Sequence, residues 1–207
     1  MGAHVAALKL HFCDELEGAF GWIFAGDRMK RCSHALVGDG RVWLIDPVDG
    51  DGLEERVLAA GEPAGVLQLL DRHNRDCRAL AQRFGVPHHV VPVEPIRDAP
   101  FEFRVVRKGR RWKEVALWWP ERRLLVCADA VGTIPFFAAP GERLGVHPLL
   151  RLTPPRRRLG SLQPDVVLCG HGEGILSEAA PVFQEALSTS RRRLLPAIAN
   201  GMRRRGR

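Results

Sequence analysis

No stretch of this sequence approaches the roughly 18 uninterrupted apolar residues that a membrane span requires. The opening residues, Met1 to Val5, show no basic region followed by a long apolar core. Neither a span nor a secretory leader is therefore expected. Paired cysteines are missing too. Cys13, Cys32, Cys77, Cys127 and Cys169 are scattered, odd in number and never spaced Cys-x-x-Cys. That pattern suits reduced thiols in a cytoplasm rather than a disulfide framework. Cys127 and Cys169 sit in apolar runs and are expected in the core. Aromatic residues are nearly absent from the basic clusters. Only Trp112, of five tryptophans, stands among arginines, so the aromatic–basic interleaving of a single-strand nucleic-acid groove is lacking.

What the chain does have is positive charge, +7 overall. It is concentrated at Arg104 to Lys113, Arg156 to Arg158, Arg191 to Arg193 and a basic tail at about 200–207. Such clusters attract phosphates, but blocks of like charge are more often solvated faces and tails. Nucleic acid is accordingly a minor expectation. The 207 residues, 45% hydrophobic and 27% charged, suit one domain over 1–207 of ordinary composition, burying roughly 70% of its unfolded surface.

The organisation reads from turn signals and periodicity. His4 to Phe12 and Gly21 to Asp27 have the look of strands. Ser33 to Pro47 is two β-rich runs joined across Gly38-Asp39-Gly40, where Asp-Gly supplies the positive φ of a tight hairpin. Leu53 to Ala60 reads as a short helix ended by Gly61 and Pro63. Ala64 to Leu70 is a buried strand, Asn74 to Phe84 a helix, and His88 to Val91 a strand. This alternation implies an α/β sandwich. Phe101 to Val106, Glu114 to Trp119 and Arg123 to Ala130 continue the strands. Residues 131–160, rich in Pro, Gly and Arg, are expected to form a lid or substrate loop. Pro164 to Gly172 is a buried strand ending in Gly-His-Gly, and Ser177 is expected to cap a closing helix that runs to about Ala199.

The junction Leu69-Leu70-Asp71-Arg72-His73-Asn74-Arg75-Asp76-Cys77 resembles the THxHxDH signature of the metallo-β-lactamase superfamily. On that pattern Asp71 stands for the Thr, Arg72 and Asn74 for the first two His, Asp76 for the Asp and Cys77 for the last His. Asp46 matches the Asp that ends the opening hairpin, and Arg110, or equally Arg111 one residue on, falls where a Gly-His motif would place its His. Ala128-Asp129 resembles the landmark whose Asp bridges two metals, and Gly170-His171-Gly172 the final metal-binding His. The resemblance spans nearly the whole chain. It implies a four-layer αββα sandwich, with mixed sheets inside and helices on the outer faces.

In the family's complete site one zinc takes three His, and the other takes Asp, His and the final His. The resemblance implies that the first site is lost here, since guanidinium has no lone pair to offer. Asp76, Cys77, Asp129 and His171 remain as a ligand set for one zinc or other divalent ion, with Asp76 and Asp129 in the catalytic positions. Asp46, His73 and Asn74 are expected to support those ligands; for His73 the alternative is a shifted metal ligand or a general base. A second account is equally open: Arg72 and Arg110 bind the two aspartates in place of any ion. The first implies a metal-dependent hydrolase acting on an ester, thioester or lactone, with a small carbonyl or anionic substrate. The second implies an inactive superfamily member whose arginine-lined cleft binds an anion or a partner. Nucleic-acid binding stands third.

Overall fold

The structure, a computed structural model, describes residues 9–205; His4 to Leu8 of the expected first strand lie outside them. The chain opens with β1 (Leu10–Leu16) and β2 (Ala19–Phe24), then the hairpin β3 (Cys32–Gly38) and β4 (Arg41–Ile45). The hairpin closes in the register Val37↔Val42 and Gly38↔Arg41, with Asp39 and Gly40 at φ 50° and 73°. Positive φ at both central residues is what a type I′ turn requires.

Beyond the hairpin the chain alternates α1 (Leu53–Ala60), β5 (Glu62–Gln68), α2 (Cys77–Phe84) and β6 (His88–Val90). β4, β5 and β6 run parallel, so each helix serves as the crossover that a parallel pair needs. The six strands form one sheet in sequence order. A second sheet follows from β7 (Glu102–Gly109), β8 (Trp112–Trp119) and β9 (Leu124–Cys127). After β10 (Val131–Gly132), β11 (Gly145–Val146) and α3 (Arg156–Leu159), it is completed by β12 (Val166–Cys169), in the order β12-β9-β8-β7.

Period-two alternation sorts the strand residues by face. Trp43 and Ile45 join the large core shared with Val115, Leu117 and Val126 of the second sheet. Val42 and Leu44 between them pack with Leu53 and Val57 of α1 and Leu80 of α2. Phe183, Ala186 and Leu187 of α4 (Ala179–Thr189) join the large core as well. The result is the expected helix–sheet–sheet–helix sandwich.

Two sequence expectations are corrected here. The closing helix starts at Ala179, with Glu178 rather than Ser177 in the capping position and no side-chain cap. It then breaks, and α5 (Leu194–Arg205) begins afresh and carries the expected basic tail as far as Arg205. Pro196 explains the break: proline lacks an N–H and is tolerated in a helix's first turn, not in its interior. The loop over 131–160 is built structure rather than a simple lid. It contains β10 and β11, a 3-10 turn at Pro148–Leu150 and α3. It is anchored by Arg151, which is fully buried and reaches Glu142 at 2.6 Å and the Phe137 carbonyl at 2.6 Å. Removing one partner of a buried ion pair strands the other charge. Glu142→Gln should therefore destabilise the fold by about 3–5 kcal/mol in denaturant titration; a loss below about 1 kcal/mol would show that the pair is not what anchors the loop.

Candidate metal centre

Parallel strands point their C-terminal ends the same way, and ligands in open α/β sheets bind beyond those ends. Asp46 follows β4, residues 69–76 follow β5, Asp129 follows β9 and His171 follows β12. Two backbone bridges clamp the sheets together at this edge. On one side Val115 N–H donates to the Leu69 carbonyl at 3.0 Å and Asp71 N–H to the Lys113 carbonyl at 3.0 Å. On the other, Cys32 N–H donates to the Gly170 carbonyl at 2.9 Å and Gly172 N–H to the Lys30 carbonyl at 2.8 Å. The glycines flanking His171 follow from this closeness. A Cβ on Gly170 would stand 2.4 Å from the Ala128 carbonyl oxygen, and Gly172 has φ 86°.

His73, Asp129 and His171 meet at the centre, all three buried. Both Nε2 atoms lie 3.2 Å from Asp129 Oδ1. Neither contact has hydrogen-bond geometry, so this buried oxygen has no hydrogen-bond partner among the described residues. The outer ring nitrogens explain why. His171 Nδ1 lies 2.8 Å from the Met29 carbonyl, which can only accept, so Nδ1 carries the proton. His73 Nδ1 lies 2.9 Å from Asp46 Oδ2, which favours the same tautomer. Two bare Nε2 lone pairs then converge on a carboxylate oxygen. Only added positive charge makes such a convergence favourable, as extra protons or as a cation between the three atoms. Imidazoles oriented through their other nitrogen by a carboxylate and a backbone carbonyl are the usual surroundings of a metal ion. Metal–nitrogen and metal–oxygen distances of about 2.0–2.2 Å in a tetrahedral shell imply donor separations of roughly 3.3 Å. The trio fits one ion and leaves a fourth position open.

The second carboxylate oxygen is used separately. Arg72 Nη2 donates to Asp129 Oδ2 at 3.1 Å, with the guanidinium 4.2 Å from the Trp112 ring centroid. Burial alone would raise the Asp129 carboxyl; with protons on the inner nitrogens of His171 and His73 these rings would hold it well below the usual carboxylate range. Burial would likewise depress His73, and the Asp46 and Asp129 carboxylates more than reverse this. Beneath lies Glu114, fully buried. Its Oε1 accepts the N–H groups of Asp129 and Ala130 at 2.8 and 2.7 Å, and its Oε2 accepts Trp112 Nε1 at 2.8 Å. Burial and the Asp129 charge push this carboxyl up to about 7.

Of the residues expected in the site, the structure brings together Asp129, His171 and Arg72, and Asp46 and His73 join them. Asp76 and Cys77 are not in the trio. Asp76 Oδ2 accepts the Asp49 N–H at 2.9 Å and the residue lines a neighbouring cavity with Arg75 and Asp27. The Cys77 thiol is buried in the helix-side core, 3.5 Å from the His73 carbonyl, and burial pushes its pKa up strongly. Arg110 occupies the exposed turn between β7 and β8 rather than pairing with an aspartate. Asn74 is exposed, and its Oδ1 accepts Gln68 Nε2 at 3.3 Å. The central motif thus contributes His73 to the trio, between the two expected positions 72 and 74; residues 71–72 and 75–76 form turns, and α2 starts only at Cys77.

Sequence reasoning missed Arg75 altogether. From φ 36° its guanidinium donates to the carbonyls of Cys32, Asp46 and Gly170 at 2.7, 2.8 and 3.1 Å, tying β3, β4 and the end of β12 together. Nothing but its place in the motif marks it. His147 was missed as well. It packs edge-on against Trp112 and Phe137, the latter stacked on His171.

The sequence matches no protein-family model and no curated protein sequence. Solved structures do match. The metallo-β-lactamase TMB-1 aligns with a TM-score of 0.59 at 13% identity, covering 94% of this chain and 99% of that one. A metallo-β-lactamase from Pontibacter korlensis aligns at 0.57 and 12%, covering 87% and 99%. DIM-1 metallo-β-lactamase exposed to ceftazidime aligns at 0.56 and 13%, covering 89% and 99%. The chain has the metallo-β-lactamase fold.

His147 carries a pH prediction. Burial holds it down to about 4, while in the unfolded chain it titrates near the ordinary 6.5. Between those values the unfolded state binds the extra proton, so stability falls as pH drops from 6.5 to 4, by no more than roughly 3 kcal/mol. His147→Asn should flatten that part of the stability–pH curve; an unchanged slope would show that His147 is not responsible.

Proposed function

We propose that the chain is a metal-dependent hydrolase whose active centre holds one divalent ion, with zinc the best match, on His73, Asp129 and His171. One observation carries the reading: the orphaned Oδ1 of Asp129, facing two imidazole lone pairs. Three protein donors with a fourth position free is the arrangement of catalytic rather than structural zinc. Such an ion polarises a carbonyl group and makes water acidic enough to react near neutral pH. An ester, thioester or lactone is the substrate class that this chemistry serves.

The protein's own residues have defined tasks. Asp46 and the Met29 carbonyl hold the two Nδ1 protons, so that Nε2 of each ring faces inward. Glu114 fixes the Asp129 backbone by accepting two consecutive N–H groups. Arg72, its side chain 44% exposed, places a guanidinium at the rim, where it can pair with an anionic group of a substrate. Protons compete with the ion for His73, whose affinity for a proton is raised, so metal affinity falls as the pH is lowered.

A second reading rests on the Arg72–Asp129 pair. Arg72 already supplies positive charge to this carboxylate, so the cleft would serve as an anion-binding site without catalysis. Metal titration of the purified protein, with hydrolysis of an ester, thioester and lactone panel, separates the two. We expect one ion to be lost in His171→Ala together with hydrolysis, and Asp46→Asn to weaken binding by about 10- to 100-fold. Hydrolysis that survives His171→Ala, or a protein that takes up no ion through this trio, would overturn the hydrolase reading.

A further inference from the structure

A separate cluster lies in β1 and β3, away from the three residues above. We propose that Cys13, Asp14 and Cys32 form a second metal site, for zinc or a similarly thiophilic divalent ion, with His34 holding the Asp14 carboxylate in place. The proposal does not depend on the hydrolase reading, because the two ligand sets share no residue.

The backbone gathers these side chains in an unusual way. Neighbours on a strand point to opposite faces, so Cys13 and Asp14 should diverge. Instead β1 has an irregularity in its register between Cys13 and Leu16, and Asp14 sits at φ 51°. A non-glycine residue held there is strained. Cys32 and His34 are two apart on β3 and share a face. Between β1 and β3, β2 contributes Gly21, which pairs with both Cys13 and His34. A Cβ on Gly21 would stand 3.0 Å from the His34 ring and 3.2 Å from Asp14 Oδ2. The absent side chain is what lets the outer strands' groups meet across the middle one.

The donor atoms of Cys13, Asp14 and Cys32 all lie within 4.8 Å of one another. Cys13 Sγ and Cys32 Sγ are 3.7 Å apart, and Cys32 Sγ is 3.7 Å from Asp14 Oδ2. His34 Nε2 is hydrogen-bonded to Asp14 Oδ2 at 3.0 Å and lies 3.4 Å from Cys32 Sγ. Tetrahedral zinc, with bonds of about 2.3 Å to sulfur and about 2.0–2.2 Å to oxygen, separates sulfurs by about 3.8 Å and sulfur from oxygen by about 3.5 Å. All four residues are buried, Cys32 and His34 at 1% exposure. Two thiols packed this closely against a buried carboxylate, away from water, are poorly explained as apolar core. Binding would release the two thiol protons as the thiolates form.

The site also has a task. Asp14 Oδ1 accepts the Gly174 N–H at 2.8 Å, and Cys32 N–H donates to the Gly170 carbonyl at 2.9 Å. These contacts hold the chain on both sides of His171. An ion here would brace the turn that presents His171.

Cobalt substitution tests the assignment, because thiolate-to-cobalt charge transfer absorbs strongly in the near ultraviolet and His73, Asp129 and His171 include no sulfur. The full chain, purified under reducing conditions and loaded with Co²⁺, should show this band. It should persist in His171→Ala and in Cys77→Ala, and disappear in Cys32→Ser with loss of one metal equivalent. Should Cys32→Ser fail to fold, thiol labelling of the wild-type protein gives the answer: Cys13 and Cys32 should be protected with zinc and react after chelation. Absence of the band in the folded wild-type protein, its loss with Cys77 alone, or a mass lower by two hydrogens from a Cys13–Cys32 disulfide would overturn the proposal.

Discussion

The burial of one carboxylate constrains everything around it. Asp129 lies at the seam of two sheets, and an ionised carboxylate removed from water must be met by positive charge or hydrogen bonds. Its two oxygens are met differently. Oδ2 takes the Arg72 guanidinium, while Oδ1 faces two imidazole nitrogens whose protons are committed elsewhere. Cation and arginine are thus not rivals for one position. Arg72 takes Oδ2 and leaves Oδ1 to the proposed cation, so this one arginine of the clamp and a metal can share the carboxylate.

The seam is held for the same purpose. Glu114 grips the backbone at Asp129 and Ala130 from below, and Arg75 spans three carbonyls on the opposite wall. The bridges of Leu69 to Val115 and of Cys32 to Gly170 stop the sheets from sliding apart. Small displacements here would carry His73 or His171 out of reach of Asp129 Oδ1, so precision in the site and cohesion of the fold rest on the same contacts.

Much of this was legible before the structure. The Asp39-Gly40 turn, the helix over Leu53–Ala60 and the strand that ends in Gly-His-Gly follow from local rules, and local rules suffice where a segment's geometry is set by its own residues. Asp129 and His171 are assigned through the family resemblance, which places each shortly after a buried strand. His73 is read mainly as a supporting residue, with a shifted ligand or general base as the alternative, because spacing inherited from a motif presumes an inherited backbone. The Cys13–His34 cluster had no signal in spacing, since it depends on a register irregularity and on a glycine in the intervening strand.

The central claim is that Asp129 Oδ1, His73 Nε2 and His171 Nε2 converge in order to hold a cation. Crystals grown with zinc, with diffraction recorded on both sides of the zinc absorption edge, test it directly. The account predicts an anomalous peak about 2 Å from all three atoms, with Arg72 still on Oδ2. Zinc-saturated crystals with no peak there, and both imidazoles turned to donate hydrogen bonds to Oδ1, would contradict it.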